Sequence, residues 1–175
     1  MQAKEIVQAA RNAHSGLPPP ALLQRMTDTE TIRGETAMRS AAVRAAVLEE
    51  LQETLVPGDR ALLCFVLEQE ILSRVQDGGG EFFENLYWAG FLLSLVAHVE
   101  DVRVLWRAKT LDFDTWCGFD VQFLVGAGVS LTLSFLQSLQ EEWASAAWAH
   151  LEQCQQAGDF ADLEQHRQWR QTYFR

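Results

Sequence analysis

The chain has 175 residues, 48% of them hydrophobic, and its 24 Asp and Glu against 14 Lys and Arg give a net charge of −10. A chain of about 150 residues already buries roughly 68–70% of its unfolded surface, so we expect one domain that needs no disulfide or metal. The acidic balance, with no basic stripe to offset it, argues against nucleic acid as a partner. Three widely spaced cysteines without a CxxC motif indicate a reducing compartment.

The apolar stretches of the chain are too short to cross a bilayer. The two longest, residues 86–99 and 121–136, are interrupted by Gly, His, Gln or Ser. Both fall short of the roughly 20 residues that a spanning helix needs, and the first residues lack the charged-then-apolar pattern of a leader. We therefore expect a cytoplasmic protein that does not enter a membrane.

The apolar periodicity predicts an all-α fold, because apolar residues recur every three or four positions and alternating β-branched runs are absent. Short loops between helices favour antiparallel helical hairpins, arranged as a solenoid or an irregular bundle. We expect a single all-α domain over residues 1–175, in which residues 1–34 form a looser helical segment. The predicted helices cover residues 3–14, 22–26, 35–55, 60–76, 82–98, 101–108, 121–125, 128–156 and 159–173.

The helices at residues 60–76 and 82–98 have the least polar surface, so they are predicted to form the central hairpin. We expect four of their side chains to be nearly inaccessible, namely Leu63, Val66, Leu86 and Leu93.

Residues 106–120 have the most unusual composition, with two Trp, three Asp, one Lys and one Cys in fifteen positions. We predict that residues 110–120 form an ordered, partly exposed loop, and loops that mix aromatic and charged side chains are typical of recognition sites. A structural alternative is that the aspartates only cap turns. The candidate partner-binding residues are Trp106, Lys109, Asp112, Asp114, Trp116 and Asp120.

Two further groups of residues suggest chemistry. Cys117 is the candidate nucleophile of a cysteine-dependent hydrolase in which His98 is the base, although a buried structural thiol fits the same pattern. His150 and Cys154 are spaced i, i+4 on one predicted helix, and with His166 they are candidate metal ligands. Packing explains these three residues more simply, and we expect neither a metal nor another cofactor.

Three short segments resemble small bacterial all-α proteins, including toxin-neutralising immunity proteins. They are Asp101-Val-Arg-Val-Leu-Trp-Arg-Ala-Lys109, Phe113-Asp-Thr-Trp-Cys-Gly-Phe-Asp120 and Leu124-Val-Gly-Ala-Gly128. The resemblance implies a cytoplasmic, non-enzymatic binder whose acidic surface occludes a basic partner.

The sequence favours a non-enzymatic protein–protein interaction module with an acidic, tryptophan-bearing surface that neutralises a basic partner protein. Six tryptophans exceed what a small core needs, and aromatic anchors are enriched at interfaces. Two alternatives stay open: the hydrolase that uses Cys117, and an obligate homodimer whose interface the tryptophans close.

Overall fold

A computed structural model describes residues 2–27, 35–77 and 80–174, without the side chains of residues 35–38 and 77. Within these ranges the chain forms α-helices and short 3-10 turns and contains no strand, which confirms the all-α prediction. In the same ranges, none of the helices combines the length and the apolar character that a bilayer crossing requires. The hairpin or solenoid arrangement of the helices stays a prediction.

Eleven α-helices lie in the described part of the chain. They are α1 (Gln2–Asn12), α2 (Pro20–Leu23), α3 (Glu35–Thr54), α4 (Arg60–Asp77), α5 (Asn85–Val96), α6 (Val102–Lys109), α7 (Phe113–Gly118), α8 (Val121–Leu124), α9 (Val129–Ser138), α10 (Glu142–Ala157) and α11 (Leu163–Tyr173). Three 3-10 turns, Pro57–Asp59, Gly80–Phe82 and Val99–Asp101, connect some of them. Gly78 and Gly79, which lie between the predicted helices at residues 60–76 and 82–98, and residues 28–34 of the predicted looser segment lie outside the described residues.

The prediction of one long helix over residues 128–156 is wrong, because α9 ends at Ser138 and α10 begins at Glu142. The Ser138 hydroxyl donates to the carbonyl of Phe135 at 2.7 Å, and Leu139 is extended. The Glu141 carboxylate accepts from the indole of Trp143 at 2.7 Å and lies at the N-terminus of α10, where the helix dipole favours negative charge. These local polar contacts offset the free-energy cost of interrupting the helix between Ser138 and Glu142.

The contacts between α-carbons divide the chain into two compact units, Met1–Leu93 and Ser94–Arg175. This division describes contacts and does not test whether the chain folds as one domain, so the single domain stays a prediction. In the first unit the predicted burial is confirmed, since Leu63, Val66 and Leu93 are fully inaccessible and Leu86 is 2% exposed.

The first unit also has a buried polar network around Arg44, which is fully inaccessible. Arg44 Nε donates to Glu70 Oε1 at 2.6 Å, and its Nη1 donates to the carbonyl of Met26 at 2.9 Å. Asn85 Nδ2 donates to the same Glu70 oxygen and to the carbonyl of Ala41, both at 3.0 Å. The network thus joins α3, α4, the start of α5 and the segment after α2.

Side chains from α6 to α10 and from the segments between them form the apolar core of the second unit. Its inaccessible side chains include Leu105, Ala108, Phe119, Phe123, Val125, Leu136, Ala144, Ala147 and Leu151. Gly126 passes so close to the backbone of Ser94 that a Cβ at this position would lie 2.2 Å from the Ser94 carbonyl oxygen. The chain therefore needs glycine there to approach the end of α5.

Candidate interaction site on α7

Residues 110–120 are ordered, but the predicted loop is wrong because they contain the helix α7. Asp112 is its N-cap: the carboxylate accepts from the Thr115 amide at 2.9 Å, and the Thr115 hydroxyl accepts from the Asp112 amide at 3.0 Å. This reciprocal capping box satisfies two backbone donors at the start of the helix. The prediction that an aspartate of this segment caps backbone donors is confirmed for Asp112, and Asp114 lies in the first turn.

The three aromatic residues of this segment differ sharply in exposure. Phe119 is fully buried, Trp116 is 42% exposed and Phe113 is 79% exposed. Asp112 and Asp114 are also exposed. We call the exposed set of Asp112, Phe113, Asp114 and Trp116 the α7 surface, in which an exposed aromatic residue has an exposed aspartate on either side in the sequence.

Lys109 holds the end of α7 in place. Its Nζ donates to the carbonyl oxygens of Trp116, at 2.8 Å, and Phe119, at 2.7 Å, and lies 5.3 Å from the centre of the Trp116 ring. A cation at the C-terminal carbonyls of a helix is stabilised by the helix dipole. Lys109 is only 5% exposed, so this predicted partner-binding residue directs its charge to backbone carbonyls of its own chain.

Burial lowers the pKa of the Lys109 ammonium, while Cys154, Asp120 and Cys117 act in the opposite direction. The cause is desolvation, since a buried ammonium loses the water that stabilises its charge.

Trp116 is supported by two further rings. Trp106, predicted as a partner-binding residue, is only 8% exposed and packs edge-on against Trp116, with ring centres 6.1 Å apart. The His150 ring lies 4.7 Å from Trp116 and 5.7 Å from Trp106. We call Trp106, Lys109, Trp116 and His150 the Trp116 cluster. It fixes the orientation of the half-exposed indole.

Asp120 stands at the N-cap position of α8, but its carboxylate does not cap that helix. Its Oδ2 is 2.7 Å from His166 Nε2 and also accepts from Arg170 Nε, while its Oδ1 accepts from Arg170 Nη2 at 2.6 Å. Burial alone would raise the pKa of Asp120, yet these hydrogen bonds and charges outweigh it and the pKa is lowered. Asp120 therefore anchors α11, and its side chain is 18% exposed.

The guanidinium of Arg170 lies among the rings of α8 and α11. Its central carbon is 4.5 Å from the Trp169 ring centre, 5.3 Å from that of Tyr173 and 5.7 Å from those of Phe123 and Phe174. Sequence reasoning did not identify this residue, because its carboxylate partner is 50 positions away.

The structure does not bring the two hydrolase candidates together. Cys117 and His98 are both exposed, and within the described residues no hydrogen bond joins them. His98 Nδ1 instead lies 3.9 Å from the Glu100 carboxylate.

Cys154, in contrast, lies beside a histidine, with its Sγ 3.8 Å from His150 Nε2. Burial, and then the nearby Asp159, raise the pKa of the Cys154 thiol. Burial, and then the charge of Lys109, lower the pKa of His150. A raised thiol pKa reduces the thiolate that nucleophilic catalysis requires, so this pair is poorly suited to such chemistry.

The three candidate metal ligands do not form one group, since His150 contacts Cys154 whereas His166 pairs with Asp120. Across the described parts of the chain, no three His, Cys, Asp or Glu residues are arranged to hold a metal ion.

Comparisons with known proteins yield no matching family model, curated protein or solved structure.

Proposed function

We propose that this chain is a non-enzymatic protein-interaction module that binds, and thereby neutralises, a basic partner protein through the α7 surface. The observation that carries the proposal is Phe113, which is 79% exposed on a capped helix between two exposed aspartates. Aromatic anchors with a charged rim are typical of interface hot spots. The resemblance of short segments to toxin-neutralising immunity proteins likewise implies a non-enzymatic binder whose acidic surface occludes a basic partner.

The charge of the surrounding chain supports a basic partner. Between Lys109 and Arg167 the sequence has nine Asp and Glu and no Lys or Arg. This stretch includes α7, whose exposed carboxylates flank the aromatic anchor. Complementary charge speeds association and disfavours partners of the same sign.

The same charges argue against an obligate homodimer through this surface. In a two-fold dimer the same patch faces itself, so Asp112 and Asp114 would meet the aspartates of the second copy. Like charges brought together at an interface oppose association. A basic protein of different sequence fits the α7 surface better.

The internal support of Trp116 lowers the cost of binding. The indole is half-exposed but held by Trp106, His150 and the Lys109 ammonium. A side chain that is already ordered loses little conformational freedom on association, which favours affinity.

Selection from a random-peptide library displayed on phage tests the proposal and does not require the partner itself. We expect peptides selected on the wild-type protein to be enriched in Lys and Arg. Phe113→Ser and Asp114→Asn should each weaken their binding about tenfold or more, which corresponds to about 1.4 kcal/mol. The matched controls are Leu131→Ser, at a residue that is 54% exposed on α9, and Asp162→Asn.

The association rate should also fall as salt rises from about 50 to 300 mM, because added ions screen exposed charges over about a Debye length. Peptides without a charge bias, or peptides that bind Phe113→Ser as well as the wild type, would refute the proposal.

A further inference from the structure

Two free thiols lie in the second unit, near the place where side chains of α7 and α10 meet. Cys117 is exposed in the last turn of α7, and Cys154 is half-buried on α10. The residue before Cys117 is Trp116, whose ring lies 4.7 Å from that of His150. His150 stands one turn before Cys154, and its Nε2 is 3.8 Å from the Cys154 Sγ. The two cysteines therefore adjoin the same aromatic contact, one from each helix.

The Lys109 ammonium lies near both thiols. Its Nζ donates to the carbonyls of Trp116 and Phe119, which stand before and after Cys117 in the sequence. Burial lowers the pKa of Lys109, and Cys154 and Cys117 both act to raise it. Burial likewise raises the pKa of the Cys154 thiol, and the charge of Lys109 acts in the opposite direction. One buried ammonium is thus within electrostatic reach of the two sulfur atoms.

We propose that Cys117 and Cys154 are a redox-sensitive pair, which forms a disulfide between α7 and α10 when the chain meets a low-molecular-weight disulfide. Bridging two cysteines requires their α-carbons to come within about 7 Å of each other. Cys117 lies in the last turn of a six-residue helix, and helix ends are where the backbone adjusts most easily. Neither thiol is buried, so the bond forms without exposing the core.

The reaction is a pair of thiol–disulfide exchanges. The thiolate of the exposed Cys117 attacks one sulfur of the reagent, whose S–S bond breaks and releases one reagent thiol. The Cys154 thiolate then attacks the Cys117 sulfur and displaces the second reagent thiol. The two cysteines lose two electrons and two protons in total, and the two released thiols take them up. In a reducing compartment both cysteines stay as thiols, so the bond forms only after the compartment becomes oxidising.

Incubation of the folded chain with 2-hydroxyethyl disulfide tests this proposal. Digestion after glutamate, without a reductant, separates the two cysteines because Glu141 and Glu152 lie between them, and mass spectrometry then identifies linked peptides. We expect the bond between Cys117 and Cys154 of one chain to be the main product. A disulfide that fits the native fold constrains mainly the unfolded chain, so the unfolding temperature should rise by about 5 °C or more.

Cys64→Ser is the matched control, because it removes the third thiol of the chain and should leave both the linked peptide and the rise in unfolding temperature unchanged. Cys117→Ser, at an exposed site that should tolerate the change, and Cys154→Ser should each abolish both. The proposal is overturned if Cys117 stays as a mixed disulfide with the reagent, if it links to Cys64 or to another chain instead, or if the linked protein unfolds at a lower temperature than the reduced protein. These measurements need no partner protein, so they are independent of the proposed function.

Discussion

Replacing Lys109 with methionine tests whether the buried ammonium stabilises the C-terminus of α7. Methionine keeps most of the apolar stem but removes the hydrogen bonds of 2.8 and 2.7 Å to the carbonyls of Trp116 and Phe119. Hydrogen bonds to charged groups contribute about 1.5–3 kcal/mol each. The variant regains part of this, because the ammonium no longer has to be desolvated, the cost that lowers its pKa. We expect a net loss of about 2–3 kcal/mol in the free energy of unfolding.

Urea unfolding followed by circular dichroism measures the total loss, and amide hydrogen exchange locates it. The amides of Trp116 and Phe119, which donate to the carbonyls of Asp112 and Thr115, should exchange faster than amides elsewhere in the second unit. Lys4→Met is the control, since Lys4 is the other lysine of the chain and is exposed on α1. A Lys109→Met variant as stable as wild type, with unchanged exchange in α7, would show that the ammonium does not hold the helix.

Three further predictions concern the second unit. Asp120→Asn should lower the free energy of unfolding at pH 7 by about 3 kcal/mol, because it leaves the partly buried Arg170 without its counter-charge. Since the pKa of the Asp120 carboxyl is lowered from 3.8, the difference in stability between variant and wild type should shrink only below about pH 4. Acid unfolding curves that show a constant difference would contradict the ion pair. NMR titration should give His150 a pKa below 6.5 that rises in Lys109→Met, because the charge of Lys109 contributes to lowering it. An identical His150 pKa in both proteins would show that Lys109 does not affect the protonation of His150. Gly126→Ala should cost about 3 kcal/mol or more by thermal unfolding, because the Cβ collides with the backbone of Ser94, and a variant of normal stability would show that the backbone moves aside.

The sequence predicts helix ends well where the end depends on local chemistry. Proline at Pro57 and the left-handed conformation of Gly158, with φ of 90°, stop helices regardless of what packs against them. The break after Ser138 has no such signal, because residues 137–142 contain neither glycine nor proline. Apolar periodicity continues through the break, so it predicts one helix where there are two.

The sequence also locates the candidate site more easily than it assigns roles within it. The density of Trp and Asp indicates residues 106–120, but the exposure of each ring depends on α6 and α10. Phe113 and Trp116 look alike in the sequence, yet one is largely exposed and the other is supported by Trp106 and His150. The i, i+4 spacing of His150 and Cys154 indicates that they are neighbours, without showing that an indole lies beside them.

The buried pair of Arg44 and Glu70 has a consequence for the register of helix packing in the first unit. A slip of α3 along α4 by one helical turn would displace the facing side chains by about 5.4 Å. Only one offset places the guanidinium against the carboxylate and the Met26 carbonyl. Any slipped arrangement leaves a charge unpaired in an apolar interior, at a cost of several kcal/mol. The pair therefore penalises any slipped alignment of the two helices, in addition to whatever apolar packing is lost.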